Sequence, residues 1–375
     1  MLKKCFVATV LLQSLYAQIY SDAEMSSAQG SVKGKNSNSS RGNDRFSSGD
    51  RLCFEADLIC WLAKQEGNDY ATSGNAITVP GTTDPNTGLI PGPIQAGKVY
   101  RPSIHVKPGF KAGLGVDLDY ANWEVFSEYT YLFSKGDGEV SSNNLNAGIL
   151  PLYSYTPHNS ILSTTTYAVS SGATGFVSRA ESYWSLHFNN INAELRKMMQ
   201  IVPSVTLRPH FGFQGSWQQQ LFNAQYTVSS FTSPTTLLGK NKVISEQKSW
   251  GVGLRAGLDG VWNCFEHFAL YCNSALSALL SHFRSQGTSL DSNSAAPGYS
   301  DRVIGNTYNR LYTLNPVLQL ELGIQTDWMH RGRYHFTAQV GWEEQVWFYQ
   351  LARSTSIANT SLILQGVTAR MRFDY

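Results

Sequence analysis

Gly109-Phe-Lys-Ala-Gly-Leu-Gly-Val-Asp-Leu-Asp-Tyr120 is the stretch that decides the fold. Phe110, Ala112, Leu114, Val116, Leu118 and Tyr120 recur at every second position, opposite Gly109, Lys111, Gly113, Gly115, Asp117 and Asp119. A helix would scatter the two sets around its circumference, whereas a strand sends them to opposite faces. The same period returns along the chain from Arg51 onward. Leu52, Phe54, Ala56, Leu58, Cys60 and Leu62 face away from Glu55 and Asp57. Trp250, Val252, Leu254, Ala256 and Leu258 alternate with Gly251, Gly253, Arg255 and Gly257. Segments at 123–133, 205–217, 314–328 and 334–342 behave likewise. Those near 184–195 and 268–283 show mixed faces, and 362–375 shows a slip at Gly366 that reads as a bulge. That makes ten segments.

The connections sort by length. Residues 121–122, 197–204, 261–267 and 329–333 are short links, while 65–104, 134–181, 218–248 and 284–311 are long and polar. Tight turns on one side and long loops on the other are the habit of outer-membrane barrels. Backbone groups in hydrocarbon must all be paired, so strands cross a bilayer only in a closed ring. The expected fold is therefore all-β: a transmembrane antiparallel up-and-down β-barrel of at least ten strands, even in number and up to sixteen if the long loops hide further pairs, such as 149–169.

The beginning of the chain sets the compartment. Lys3 and Lys4 precede a brief apolar run, Phe6 to Leu12, with a small residue at Ala17. This predicts a cleavable signal peptide over 1–17, too short to span a bilayer. Residues 18–50, rich in Ser, Gly and Asn, read as a flexible polar tail, and 51–375 as the barrel. Without Lys3 and Lys4 the 29 basic residues become 27, equal to the 27 acidic ones, and there is no Lys/Arg run pointing to nucleic acid. Lipid, the barrel-assembly machinery and small hydrophilic solutes are the expected partners. A homo-oligomer or a disulfide-linked neighbour is allowed by the sequence but demonstrated by none of its segments.

On the polar faces, Lys111, Arg208, Arg255, Glu321, Glu343 and Arg370 are the candidates to line a passage, where opposed charges tune selectivity. The equal alternative is that they pair with one another and hold the barrel in shape. Val367, Ala369, Met371, Phe373 and Tyr375 form the apolar face of a last strand ending in an aromatic residue, as an assembly signal would. Of the four cysteines beyond the leader, Cys53 and Cys264 fall at the periplasmic rim and are the disulfide candidates; Cys60 and Cys272 sit on apolar faces. The glycine pattern Gly251-Val-Gly253-Leu-Arg-Ala256 lacks the turn and helix of a dinucleotide fingerprint. His187, His210, His267, His282 and His335 each precede Phe, and no nucleophile, base and orienting group converge, so no enzyme, metal or cofactor is expected.

Several of these segments resemble the pore-forming outer-membrane proteins of the Legionella type, whose relatives include the porins of chlamydia-like bacteria that resemble major outer membrane proteins. The likeness lies in Phe54-Glu-Ala-Asp57-Leu-Ile-Cys-Trp61-Leu-Ala63-Lys-Gln-Glu66-Gly67, Tyr70-Ala71, Lys107-Pro108-Gly109-Phe110, Leu207-Arg208-Pro209-His210-Phe211-Gly212, Gly341-Trp342-Glu343-Glu344-Gln345 and Leu364-Gln365-Gly366. Cys60 stands where an aromatic residue is expected. The resemblance implies an outer-membrane porin passing small hydrophilic solutes or ions by diffusion; it transfers no catalytic residue. The competing expectation is a surface-exposed structural or adhesive barrel with a closed lumen.

Overall fold

The computed structural model describes residues 51–73, 97–118, 122–142, 149–153, 167–168, 174–230, 237–265, 268–293, 302–330, 334–350 and 360–375. The leader and polar tail expected over 1–50 lie outside them. Ten long strands follow one another: β1 (Arg51–Gln65), β2 (Lys107–Leu118), β3 (Trp123–Ser141), β4 (Thr174–Lys197), β5 (Val205–Ser230), β6 (Leu237–Trp262), β7 (Ala269–Asn293), β8 (Arg302–His330), β9 (Tyr334–Trp347) and β10 (Leu362–Asp374). Each pairs antiparallel with the next, and β10 pairs with β1 from Cys53↔Asp374 to Gln65↔Leu362, which closes the ring. The sheet counts thirteen strands because Ser103–Ile104, Tyr167–Ala168 and Met199–Val202 attach to β3, β4 and β5; the ring itself has ten.

Alternation in the sequence becomes two chemically distinct surfaces. Leu58, Leu114, Phe213, Leu254, Leu276 and Leu280 point outward and are about 60% exposed, while Asp57, Lys111, Gln214, Arg255 and Ser277 point inward and are buried. A water-soluble protein rarely leaves so continuous an apolar surface uncovered. Along β6 the outward run from Trp250 to Trp262 covers roughly 30 Å of height at ~3.3 Å per residue and a ~40° tilt, the thickness of the hydrocarbon layer. Trp217, Trp250 and Tyr312 mark its outer edge; Trp123, Trp262, Trp328 and Tyr375 mark its inner one. Asn122, at φ 58°, takes the left-handed conformation in the tight link before β3, where a short polar side chain is tolerated best.

Three expectations are corrected. Most of the long loops 218–248 and 284–311 are strand: β5, β6, β7 and β8 continue well past the apolar band as paired hairpins. On β5 the apolar side chains there, Phe222, Ala224, Tyr226 and Val228, turn inward instead of outward, and the matching parts of β6–β8 are mostly polar, so the outward apolar alternation fades although the ladder does not. The stretch 149–169 adds no ring strand: Ile149–Pro151 joins Ala71–Ser73 and Val99–Tyr100 in a separate three-stranded sheet. Gly366 is no bulge, because the register runs unbroken through Trp61↔Gly366; register shifts occur instead near Val228 and Ser289. The apparent slip arises because Leu362 and Leu364 are apolar yet face inward.

Candidate functional site: the barrel interior

The inward side chains form layers. Towards the periplasmic end, Arg372 bonds Glu124 at 3.0 Å and Asp374 at 2.8 Å, and the Cys53 thiol donates to Glu124 at 3.2 Å. Arg208 lies 3.7 Å from the same Glu124.

The next layer is a continuous chain of charges. Lys111 Nζ of β2 donates to both Glu343 oxygens of β9 at 2.8 Å, past the two intervening strands β10 and β1. Gln319 and Gln345 donate to Glu343 Oε1, and Thr368 to Oε2, at 2.8–2.9 Å. From Gln319 Oε1 the chain passes to Arg255 Nη2 at 2.9 Å, and Arg255 Nε meets Glu194 at 2.6 Å. Arg196 holds the other Glu194 oxygen at 3.0 Å, with its guanidinium 3.7 Å from the Phe126 ring centre. A second hub is Arg370, bonded to Glu55 and Asp57 at 3.0 Å and to Glu321 at 3.4 Å. Glu321 also accepts from Tyr271 at 2.8 Å and Asn273 at 3.1 Å. The carboxylates of Glu55, Asp57 and Glu128 lie within 4.8 Å of one another, a spacing that would suit a metal ion. Arg370 already answers that charge.

Glycine makes room for this packing. A Cβ at Gly113 would stand 2.5 Å from the Phe126 ring, and one at Gly257 would stand 2.3 Å from His210 Nε2. The glycines of β6 thus serve close packing along a strand rather than phosphate binding.

Above the charges lies a buried, largely apolar layer threaded by the hydrogen-bonded pair Gln65 and Gln220. Trp61, Trp184, Trp347, Leu132, Leu186, Phe188, Leu362 and Leu364 are inward and essentially inaccessible to water. Phe188 and Trp347 meet edge to face with ring centres 5.2 Å apart. Trp61 ties the layers together: its Nε1 donates to Thr368 Oγ1 at 3.1 Å and its ring lies 5.2 Å from Lys111 Nζ. The small sheet packs onto this layer. Tyr226 of β5 donates to the Tyr70 carbonyl at 2.7 Å, and Tyr70, Ala71 and Ile149 are buried against the layer.

All six expected lining residues therefore face inward, where they divide among three paired, mostly buried clusters: Lys111, Glu343 and Arg255 in the first, Glu321 and Arg370 in the second, and Arg208, 25% exposed, beside Glu124 in the third. Cys53 and Cys264 are both free thiols, and Cys53 is buried in the lumen. Glu194, Arg196, Gln319 and Trp61 escaped the sequence reading. In 184–195 apolar residues occupy both faces, Trp184 and Phe188 inside against Tyr183 and Ile191 outside, which hides the phase that would have placed Glu194 in the lumen. Val367, Met371 and Tyr375 are exposed on the outward face of β10; Phe373 of that face stacks with Tyr334 at 5.8 Å.

A closed antiparallel ring with a lipid-length apolar exterior and a charged interior defines a transmembrane β-barrel. Residues 54–374 match the family model described as Legionella pneumophila major outer membrane protein precursor, and the chain belongs to that family, a family of the outer membrane. No curated protein matches its sequence. Among solved structures it is similar to the outer membrane protease OmpT from Escherichia coli (8% identity, 89% of this chain and 98% of that one, TM-score 0.33). It is also similar to a Pseudomonas aeruginosa FadL homologue (8%, 87% and 90%, 0.25) and to the P. putida toluene transporter TodX (7%, 88% and 90%, 0.20). At these scores the likeness lends no argument about activity.

Proposed function

We propose that this protein is a structural, surface-displaying outer-membrane barrel whose lumen is closed at rest, rather than a passive porin. One observation carries the reading. The chain Lys111–Glu343–Gln319–Arg255–Glu194, at 0–8% exposure, crosses the interior, and Trp61, Trp184, Phe188 and Trp347, at 0–1%, fill the level above it. Diffusion of hydrated solutes needs a water-filled path, and the burial of both levels argues against one. The working surface is then the set of outer hairpins, above all those of β5–β6 and β7–β8.

Refolded full-length protein in planar bilayers tests this directly. The expected record is flat, with no stepwise conductance and no swelling of sugar-loaded liposomes. Regular steps from the unaltered protein would refute the closed lumen and restore diffusion of small hydrophilic solutes.

A further inference from the structure

The outward faces of β6, β7 and β8 carry three consecutive rows in strict register at the outer edge of the apolar band. Val252, Leu280 and Leu314 make an aliphatic row; Trp250, His282 and Tyr312 an aromatic one; Lys248, Arg284 and Arg310 a cationic one. The middle row is packed, with ring centres 6.0 Å apart for Trp250–His282 and 4.5 Å for His282–Tyr312. In the cationic row the guanidinium carbons of Arg284 and Arg310 each lie 5.2 Å from the centre of the Tyr308 ring, and Arg310 also donates to the Tyr308 hydroxyl. One aromatic ring thus steadies two guanidinium groups.

Strands stand ~4.8 Å apart, so the backbone positions of the three cationic residues fall within roughly 10 Å. Only Lys248 has a carboxylate, Glu246 at 2.9 Å; among the described residues neither Arg284 nor Arg310 is ion-paired. Two held, unneutralised guanidinium forks beside a lipid-facing surface match an anion that is itself anchored in lipid. Guanidinium forks fit phosphate oxygens in pairs, and the aliphatic and aromatic rows beneath suit acyl chains and sugar faces.

The geometry points to a binding site for a phosphorylated glycolipid of the outer leaflet, its phosphate on Arg284, Arg310 and Lys248 and its chains along Val252, Leu280 and Leu314. The phosphate could equally arrive as a free ion, but the contiguous apolar row favours the lipid.

Folded full-length protein in zwitterionic micelles is titrated with purified lipopolysaccharide, and binding is read by native mass spectrometry. Arg284→Gln with Arg310→Gln is expected to weaken binding by at least ~10-fold, since two charge-assisted contacts are lost. Lys197→Gln, on the Trp123 ring at the opposite rim, is expected to leave it within ~2-fold. Dephosphorylated lipopolysaccharide should bind the unaltered protein as weakly as the intact lipid binds the double variant. Both arginines are exposed, so these variants fold, and heat-modifiable migration checks it; Arg284→Lys with Arg310→Lys keeps the charges and should bind between the two. Unchanged affinity in the Gln double variant overturns the site. Displacement by millimolar inorganic phosphate, or equal binding of phosphatidylglycerol, overturns the assignment to a glycolipid.

Discussion

Replacing Lys111 by Met isolates what the lumen network contributes. The ammonium is the only cation on Glu343, whose side chain is fully buried, and it makes two of that carboxylate's five hydrogen bonds. Removing one partner of a buried pair strands the other charge, which costs about 3–5 kcal/mol. At ~1.4 kcal/mol per tenfold, the folded-to-unfolded ratio falls roughly 100- to 4,000-fold. Replacing both partners, Lys111→Met with Glu343→Gln, strands no charge and keeps an amide oxygen as acceptor for Gln319 and Gln345. The double variant should recover at least half of the loss. Urea unfolding in phospholipid vesicles, followed by tryptophan emission, measures all three proteins and closes a double-mutant cycle. A loss below about 1 kcal/mol for Lys111→Met is what a solvated surface pair would show. That result would mean water reaches Glu343, and both the buried network and the closed lumen would fall with it.

Two further outcomes follow from the exterior. Leu254→Arg, 65% exposed in the middle of the apolar band, should cost about 2–4 kcal/mol in vesicles, whereas Ile244→Arg, on the same face above the band, should cost ~0–1 kcal/mol; equal costs in the same unfolding assay would misplace the membrane. Deleting Phe373–Tyr375 removes the stacking of Phe373 and Tyr375 on Tyr334 and the bond from the Tyr375 amide to the Leu52 carbonyl. Its expected effect is loss of most heat-modifiable, membrane-inserted protein in outer-membrane fractions, and normal insertion would count against a terminal assembly signal.

Membrane contact made the exterior legible in the sequence. Lipid demands apolar side chains at every second position, so Gly109–Tyr120 and Trp250–Leu258 announced their strands and their facing. The interior was legible only where it is polar. Lys111, Arg208, Arg255, Glu321, Glu343 and Arg370 could be read as facing the interior because each sits opposite a run of apolar neighbours. Their pairing was not readable, since it depends on which strands face one another across the lumen. Where the interior turns apolar, at Trp184, Phe188, Leu362 and Leu364, both faces look alike and the phase disappears. The outer halves of β5–β8 were read as loops because their outward faces are no longer apolar, the apolar residues of β5 there (Phe222, Ala224, Tyr226 and Val228) facing inward among polar neighbours.

The seam between β1 and β10 has a consequence for biogenesis. Every other junction in the ring joins neighbours along the chain, but this one pairs Cys53 with Asp374, residues from the two ends of the barrel sequence. Until the final strand arrives, the sheet is an open ribbon with two raw borders, each ready to stick to whatever strand it meets. The first hairpin made waits longest for its mate, so the cell must shield the margin of β1 through the whole of synthesis and transit, and a chain cut short anywhere can never be made safe.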